Sequence, residues 1–112
     1  RQCVVVPVSE DAFGYAAYVR NALHARGFHV EVNLGSGTLN KKVREAQLAQ
    51  WNYILVVGKE EEESMSVNVR QRGLQKPVGT RDLIEFMDEL DQENSPGALG
   101  KPTKLLPFRR ST

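Results

Sequence analysis

The chain has 112 residues, with 15 Lys and Arg against 14 Asp and Glu, a formal net charge of +1, 40% hydrophobic residues and a single cysteine. That length accommodates one core under a sheet and two or three helices, and excludes a second. Near-neutral charge excludes a uniform cationic coat for nucleic acid, and the lone Cys3 excludes an intramolecular disulfide and fits a reducing compartment. No apolar run approaches the roughly 20 residues needed to cross a bilayer, so the chain reads as soluble.

In chain order, Cys3-Val4-Val5-Val6-Pro7-Val8 is apolar and β-branched and reads as a first buried strand, with Pro7 where ladder hydrogen bonding ends. The chain opens on Arg1 rather than Met with this strand under way by Cys3, so it is expected to be a piece of a longer protein. Ser9-Glu10-Asp11 turns the chain. From Ala12, the positions Ala16, Val19 and Leu23 recur at helical spacing; Gly27 is the stop, and Arg20, Asn21 and His24 form the wet side. Phe28 to Leu34 alternates apolar and polar residues, the pattern of a strand with one wet side or near a sheet edge. Strand, helix and strand make a right-handed βαβ unit.

Gly35-Ser36-Gly37-Thr38 breaks the chain ahead of a second helix, with Thr38 or Ser36 as N-cap. Leu39, Val43 and Ala46 face one way on that helix, and Lys41, Lys42, Arg44 and Gln47 spread over the rest. Tyr53-Ile54-Leu55-Val56-Val57 shows no polar alternation, which marks a central strand covered on both faces. Ligands gather at the ends of such strands. Here Gly58 and the run Lys59-Glu60-Glu61-Glu62-Glu63 follow, so the working surface is expected at that end.

Glu60 to Met65 makes a short turn or helical bend. Ser66 to Arg72 alternates, with Val67 and Val69 on one face and Asn68, Arg70 and Arg72 on the other. The connection before it is too short for a crossover helix, so this strand is expected to run antiparallel to the central one. Gly73 and Pro77-Val78-Gly79 shape a turn and a short last strand. Asp82 and Glu85 have capping-box spacing, and Leu83, Phe86, Met87 and Leu90 form the buried stripe of a final helix. From Asn94 onward, Pro96, Gly97, Gly100, Pro102 and Pro107 interrupt every helix, so residues 94–112 read as a flexible basic tail. Residues 1–93 hold 11 Lys and Arg against 14 Asp and Glu, while that tail holds four basic residues and no acid. Polyanion contact from the folded body must therefore come from local clusters.

Two clusters carry chemistry. Lys41 and Lys42 sit in the first turns of a helix, where cations oppose the macrodipole by about 0.3–1 kcal/mol each when exposed. A bound anion such as a phosphate reverses that; solvation or pairing with a neighbouring domain is the alternative. Asn68, Arg70 and Arg72 beside Glu60–Glu63 offer a guanidinium fork for a base edge and carboxylates for base amino groups. The rival is a set of exposed ion pairs worth about 0–1 kcal/mol each.

Other candidates carry less. Gly35-Ser36-Gly37 lacks the third glycine of a dinucleotide loop, and no Gly-Lys-Ser/Thr occurs, so it reads as a tight turn. Glu10 and Asp11 lack the aspartate at the end of the central strand that a phosphoacceptor pocket needs. His24 and His29 have no ligands at metal spacing, Cys3 reads as a small core residue, and Trp51 as a packing residue. No nucleophile, base and orienter can be assembled. The residues describe a binder.

The wording of three segments adds a family. Thr38-Leu39-Asn40-Lys41-Lys42-Val43-Arg44-Glu45-Ala46-Gln47-Leu48-Ala49-Gln50, then Tyr53 to Glu61, then Val67-Asn68-Val69-Arg70-Gln71-Arg72 closely resembles the C-terminal anticodon-binding domain of threonyl-tRNA synthetase, over about residues 2–92. The pattern LNKK(I/V)R-x-AQLAQ…VVG…VNVRxR separates this family from the prolyl, glycyl and histidyl relatives that share the fold. The resemblance implies a three-layer α/β/α unit with a mixed five-stranded sheet at residues 1–93, followed by the tail at 94–112. It implies a parent that charges threonine tRNA using ATP, with a zinc-containing catalytic domain upstream; no catalytic residue or cofactor is expected in this domain.

Carried over by position, Glu61 and Arg70 match residues that read anticodon bases, and Arg44 with Lys42 matches the basic helix bordering the loop. Ser36 stands where bacterial members place a polar base contact, although the loop differs here. Asn68 and Arg72 complete the candidate set. Gln71 replaces the usual threonine of the VRTR motif, and the tail departs from the family. The implied partners are the threonine tRNA anticodon loop, the parent's catalytic domain and a second copy in a homodimer, in the cytoplasm, with a mitochondrial form left open. A non-catalytic accessory module of the same fold and a flavodoxin-like nucleotide-binding domain are the rival readings.

Overall fold

The two non-alternating apolar runs form the middle of the sheet. Cys3–Pro7 (β1) and Tyr53–Val57 (β3) pair in parallel, Cys3 opposite Tyr53 through Pro7 opposite Val57, and only Tyr53 among them is not fully buried. A computed structural model describes residues 2–73 and 78–94, the side chains of 93 and 94 excepted. On one side of β1 lies Val30–Val32 (β2), parallel; on the far side of β3 lie Ser66–Gln71 (β4) and Gly79–Asp82 (β5), each antiparallel to its neighbour. The order is β2-β1-β3-β4-β5, a mixed five-stranded sheet as expected.

Chain connectivity explains the mixture. Between β3 and β4 the chain has only Gly58, the six-residue helix Lys59–Ser64 (α3) and Met65, whose φ of 52° reverses it in the left-handed region. So short a link cannot carry β4 back to a parallel start. The expected bend at Glu60–Met65 is thus one real helix. The expected strand Phe28–Leu34 is ordered only at Val30–Val32, at the edge that its alternation suggested, because the Phe28 N–H is held by the Leu23 carbonyl in the turn at Gly27 (φ 92°).

Helices cover both faces. A 3-10 turn at Glu10–Ala12 leads into Phe13–Ala25 (α1), and Leu83–Asn94 (α4) starts where the Glu85 N–H meets Asp82 Oδ2 at 3.2 Å. Tyr15, Val19 and Leu23 of α1 and Leu83, Phe86, Met87 and Leu90 of α4 pack on Val5, Leu55, Val57, Val67 and Val69. On the other face Leu39–Leu48 (α2) sets Val43 and Ala46, with Trp51, on Val4, Val6, Ile54 and Val56. Trp51 is 6% exposed and stacks on His29, with centroids 5.8 Å apart, so its packing role holds. The expected tail lies, from residue 95, outside the described residues.

One polar element binds the layers. Arg26, just after α1, is 3% exposed, and its Nη1 donates to Asp88 Oδ1 at 2.7 Å and Asp91 Oδ2 at 2.9 Å, both on α4. The sequence reading missed it.

Two buried acids make the fold alkali-sensitive. The Tyr15 hydroxyl donates to the Ser66 carbonyl at 2.8 Å. Burial raises its pKa above the ordinary 10.0, helped by Tyr18, Glu61, Asp82 and Glu62. Burial also lifts the Cys3 thiol from 9.0 to about 12. Because both folded-state values are raised, the stability they contribute is complete below the unfolded values and is lost as pH rises past them. Urea midpoints are therefore expected to hold up to about pH 9 and fall above it, with Tyr15→Phe flattening the part above about pH 10. A midpoint unchanged up to pH 11 would contradict this.

Candidate nucleic-acid interface

The second helix places its cations in two ways. Thr38 caps it, its Oγ1 accepting the Lys41 N–H at 3.2 Å, and Lys41 and Arg44 are exposed. Lys42 is not on the exposed surface expected for it: it is 5% exposed. At i+3 from Leu39 it falls on the stripe of Leu39, Val43, Ala46 and Ala49 that meets the sheet, so its stem is covered.

On the face that α2 covers, β4 continues the surface outward. Directly paired residues share a face, and Arg70 pairs with Ile54 and Asn68 with Val56, both under α2. Arg70 and Asn68 are half-buried, and Thr80, paired with Asn68 on β5, is exposed. Arg70 Nε is buried without a hydrogen-bond partner. An orphaned donor of this kind costs about 1–3 kcal/mol. The opposite face takes the alternate residues, as Arg81 shows by pairing with Glu89 of α4.

Glu61 stands at the end of β3, where its Oε1 accepts the Gly58 N–H at 2.8 Å. A Cβ built on Gly58, which alternation from Ile54 and Val56 aims at the α2 face, would lie 3.3 Å from that oxygen. Glu61 and Arg70 therefore serve one face. They do not stand side by side as the sequence suggested: Arg70 is level with Ile54, and Gly58 lies four residues on, roughly 13 Å along the strand. Antiparallel pairing is the reason, since it carries the chain from Glu61 back toward the opposite edge. The rival set of ion pairs is not formed. Among the described residues the ion pairs are Arg26 with Asp88 and Asp91, His29 with Glu31, and Arg81 with Glu89, and none uses Lys41, Lys42, Arg44, Arg70 or Arg72.

The remaining candidates go to the two ends of the sheet. Ser36 is exposed after β2, at the same edge as Glu61, before Gly37 with φ 124°. Arg72 lies past the last residue of β4, its N–H tied to the Asn52 carbonyl at 2.8 Å, and it lines a cavity of about 350 Å³ with Gln2, Asn52, Tyr53, Gln71, Gly73 and Leu90. It lies two residues past Arg70, at the end of the sheet away from Glu61. No cluster of His, Cys, Asp and Glu that could hold a metal ion occurs among the described residues, and none of their helices is long and apolar enough to cross a membrane.

Known proteins decide the family. The family model described as "Anticodon binding domain" matches residues 2–93. The chain belongs to that family. As an anticodon binding domain it is 41% identical over 92 residues to the cytoplasmic threonine-tRNA ligase of Saccharomyces cerevisiae and 47% identical over 93 residues to the cytoplasmic threonine-tRNA ligase 1 of Bos taurus, each match covering 82% of this chain. It spans only 12% and 13% of those ligases. Among solved structures, the RNA binding domain of threonyl-tRNA synthetase from Cryptosporidium parvum superposes with a TM-score of 0.78 at 35% identity, over 91% of this chain and 24% of that one. The catalytic domain of such ligases is not in this chain.

Proposed function

We propose that this anticodon binding domain holds the anticodon loop of a threonine tRNA for a ligase whose catalytic domain lies outside the chain. The observation that carries it is Arg70: a half-buried guanidinium with an unpartnered Nε, on the uncovered half of the face that α2 shares. The Nη groups of such a half-buried guanidinium fit an oxygen of an unpaired base or a phosphate. Lys41 and Arg44 on the neighbouring helix hold the backbone, and Glu61 accepts from a base edge, with Asn68 and Ser36 alongside. Given the distance between them, Arg70 and Glu61 address different bases. Lys42, with its stem covered, shapes the helix seat and offers only its tip. Arg72, at the far end of the sheet, contributes no more than long-range charge.

The likeness to threonine-tRNA ligases, two of them cytoplasmic by name, supports attachment of threonine and a cytoplasmic location; the reading also includes ATP and zinc held by the catalytic domain and a homodimeric parent. The test is a titration with RNA stem-loops carrying threonine or other anticodons. Threonine anticodons are expected to bind more tightly, with a log K against log salt slope of about −1.4 for two phosphate contacts. Equal affinity for all anticodons would leave an accessory module. A thermal shift with flavin or nucleotide and no RNA binding would instead assign a nucleotide domain.

A further inference from the structure

Val8 is placed with care and left uncovered. Its N–H donates to the Val57 carbonyl at 2.9 Å, which ties the end of β1 to β3, yet its side chain is 45% exposed. Alternation from the buried Val4 and Val6 sends that side chain to the α2 face. There its Cγ2 lies 3.2 Å from where a Cβ on Gly58 would stand, the same point that is 3.3 Å from Glu61 Oε1. Val8 and Glu61 thus close on Gly58 from two sides, which they can do because residue 58 has no side chain. In the strand order β2-β1-β3, Ser36 follows the first, Val8 the second and Glu61 the third. The apolar residue sits between two polar ones along a single edge.

Resting on the RNA-binding reading above, we infer that Val8 is the apolar platform on which an unstacked RNA base lies while Glu61 takes its edge. A splayed base needs a partner for its face as well as for its edge, because it has given up stacking on its neighbours. Glu61 supplies only acceptors, and one oxygen already takes the Gly58 N–H, so the base it reads presents N–H donors on its Watson–Crick edge. Val8 covers the ring of that base, and the bare Gly58 lets Val8 and Glu61 stand close enough to serve one base. Val8 is outside both core clusters, so shortening it removes no core contact.

The experiment compares wild type, Val8→Ala, Glu61→Gln and the double variant for binding of a threonine anticodon stem-loop, with thermal melts alongside. Val8→Ala is expected to weaken binding about ten-fold, the transfer value of two methyl groups, with an unchanged melt. The double variant is expected to lose less than the product of the single losses, because both residues serve one base. Gly58→Ala, whose Cβ would push Val8 and Glu61 apart, is expected to weaken binding as well. Wild-type affinity in Val8→Ala, with affinity lost in Glu61→Gln, overturns the platform and leaves the RNA reading standing. Strictly multiplicative losses overturn it too, by showing two separate contacts. A wild-type chain that binds no stem-loop removes the RNA reading itself.

Discussion

Arg70→Met weakens binding of the threonine anticodon stem-loop by about ten- to a hundred-fold, the effect of losing a charge-assisted base contact worth about 1–3 kcal/mol. The free protein does not become less stable. Methionine keeps the apolar stem beside Ile54 and removes a buried Nε that has no acceptor, so the melting temperature is expected to stay level or rise. Binding that falls while stability does not is the signature of a group kept for its ligand. In the parent ligase the same change is expected to lower charging of threonine tRNA and to leave threonine activation by ATP intact. Equal loss in both reactions, or a melt lowered in step with RNA binding, would make Arg70 a structural residue.

Arg26→Ala destabilises the domain by about 3 kcal/mol, since removing one partner of a buried ion network strands the others. The guanidinium side chain is 2% exposed, and its two carboxylates differ: that of Asp91 is 17% exposed and that of Asp88 53%. Asp91→Asn is therefore expected to cost more than Asp88→Asn, because the solvated Asp88 gives up less. For a domain this size the Arg26→Ala loss corresponds to a melting temperature lower by about 12–24 °C. Below that melt, stem-loop affinity is expected to be unchanged, since the network joins α1 to α4 on the face away from Arg70. A drop of less than about 3 °C would show that Arg26 is held by packing alone.

The contrast between these two arginines shows where the sequence was legible. Arg70 lies in an alternating strand, so its face followed from Val69 one residue away and Val67 three away, and the family wording named it independently. Arg26 follows a helix whose own residues give no hint of Asp88 and Asp91, more than sixty positions later. The two acids do flank the apolar stripe of the last helix at i and i+3, but which cation meets them depends on how α1 and α4 lie together. Lys42 was misread because a lysine was assumed to be wet, although its spacing from Leu39 already put it on the stripe facing the sheet.

Short-range periodicity determined by itself the apolar strands, the amphipathic helices and the antiparallel turn into β4, because each depends on residues a few positions apart. Family wording determined the candidate base readers. Only the tertiary structure decided that Arg70 is level with Ile54, roughly 13 Å along the strand from the Gly58 that Glu61 caps, that Arg72 lies farther still in that direction, and that Val8 and Glu61 close on Gly58 from two sides. Those relations come from strand order and register, which bring together residues distant in the chain, and no local pattern encodes a distance between them.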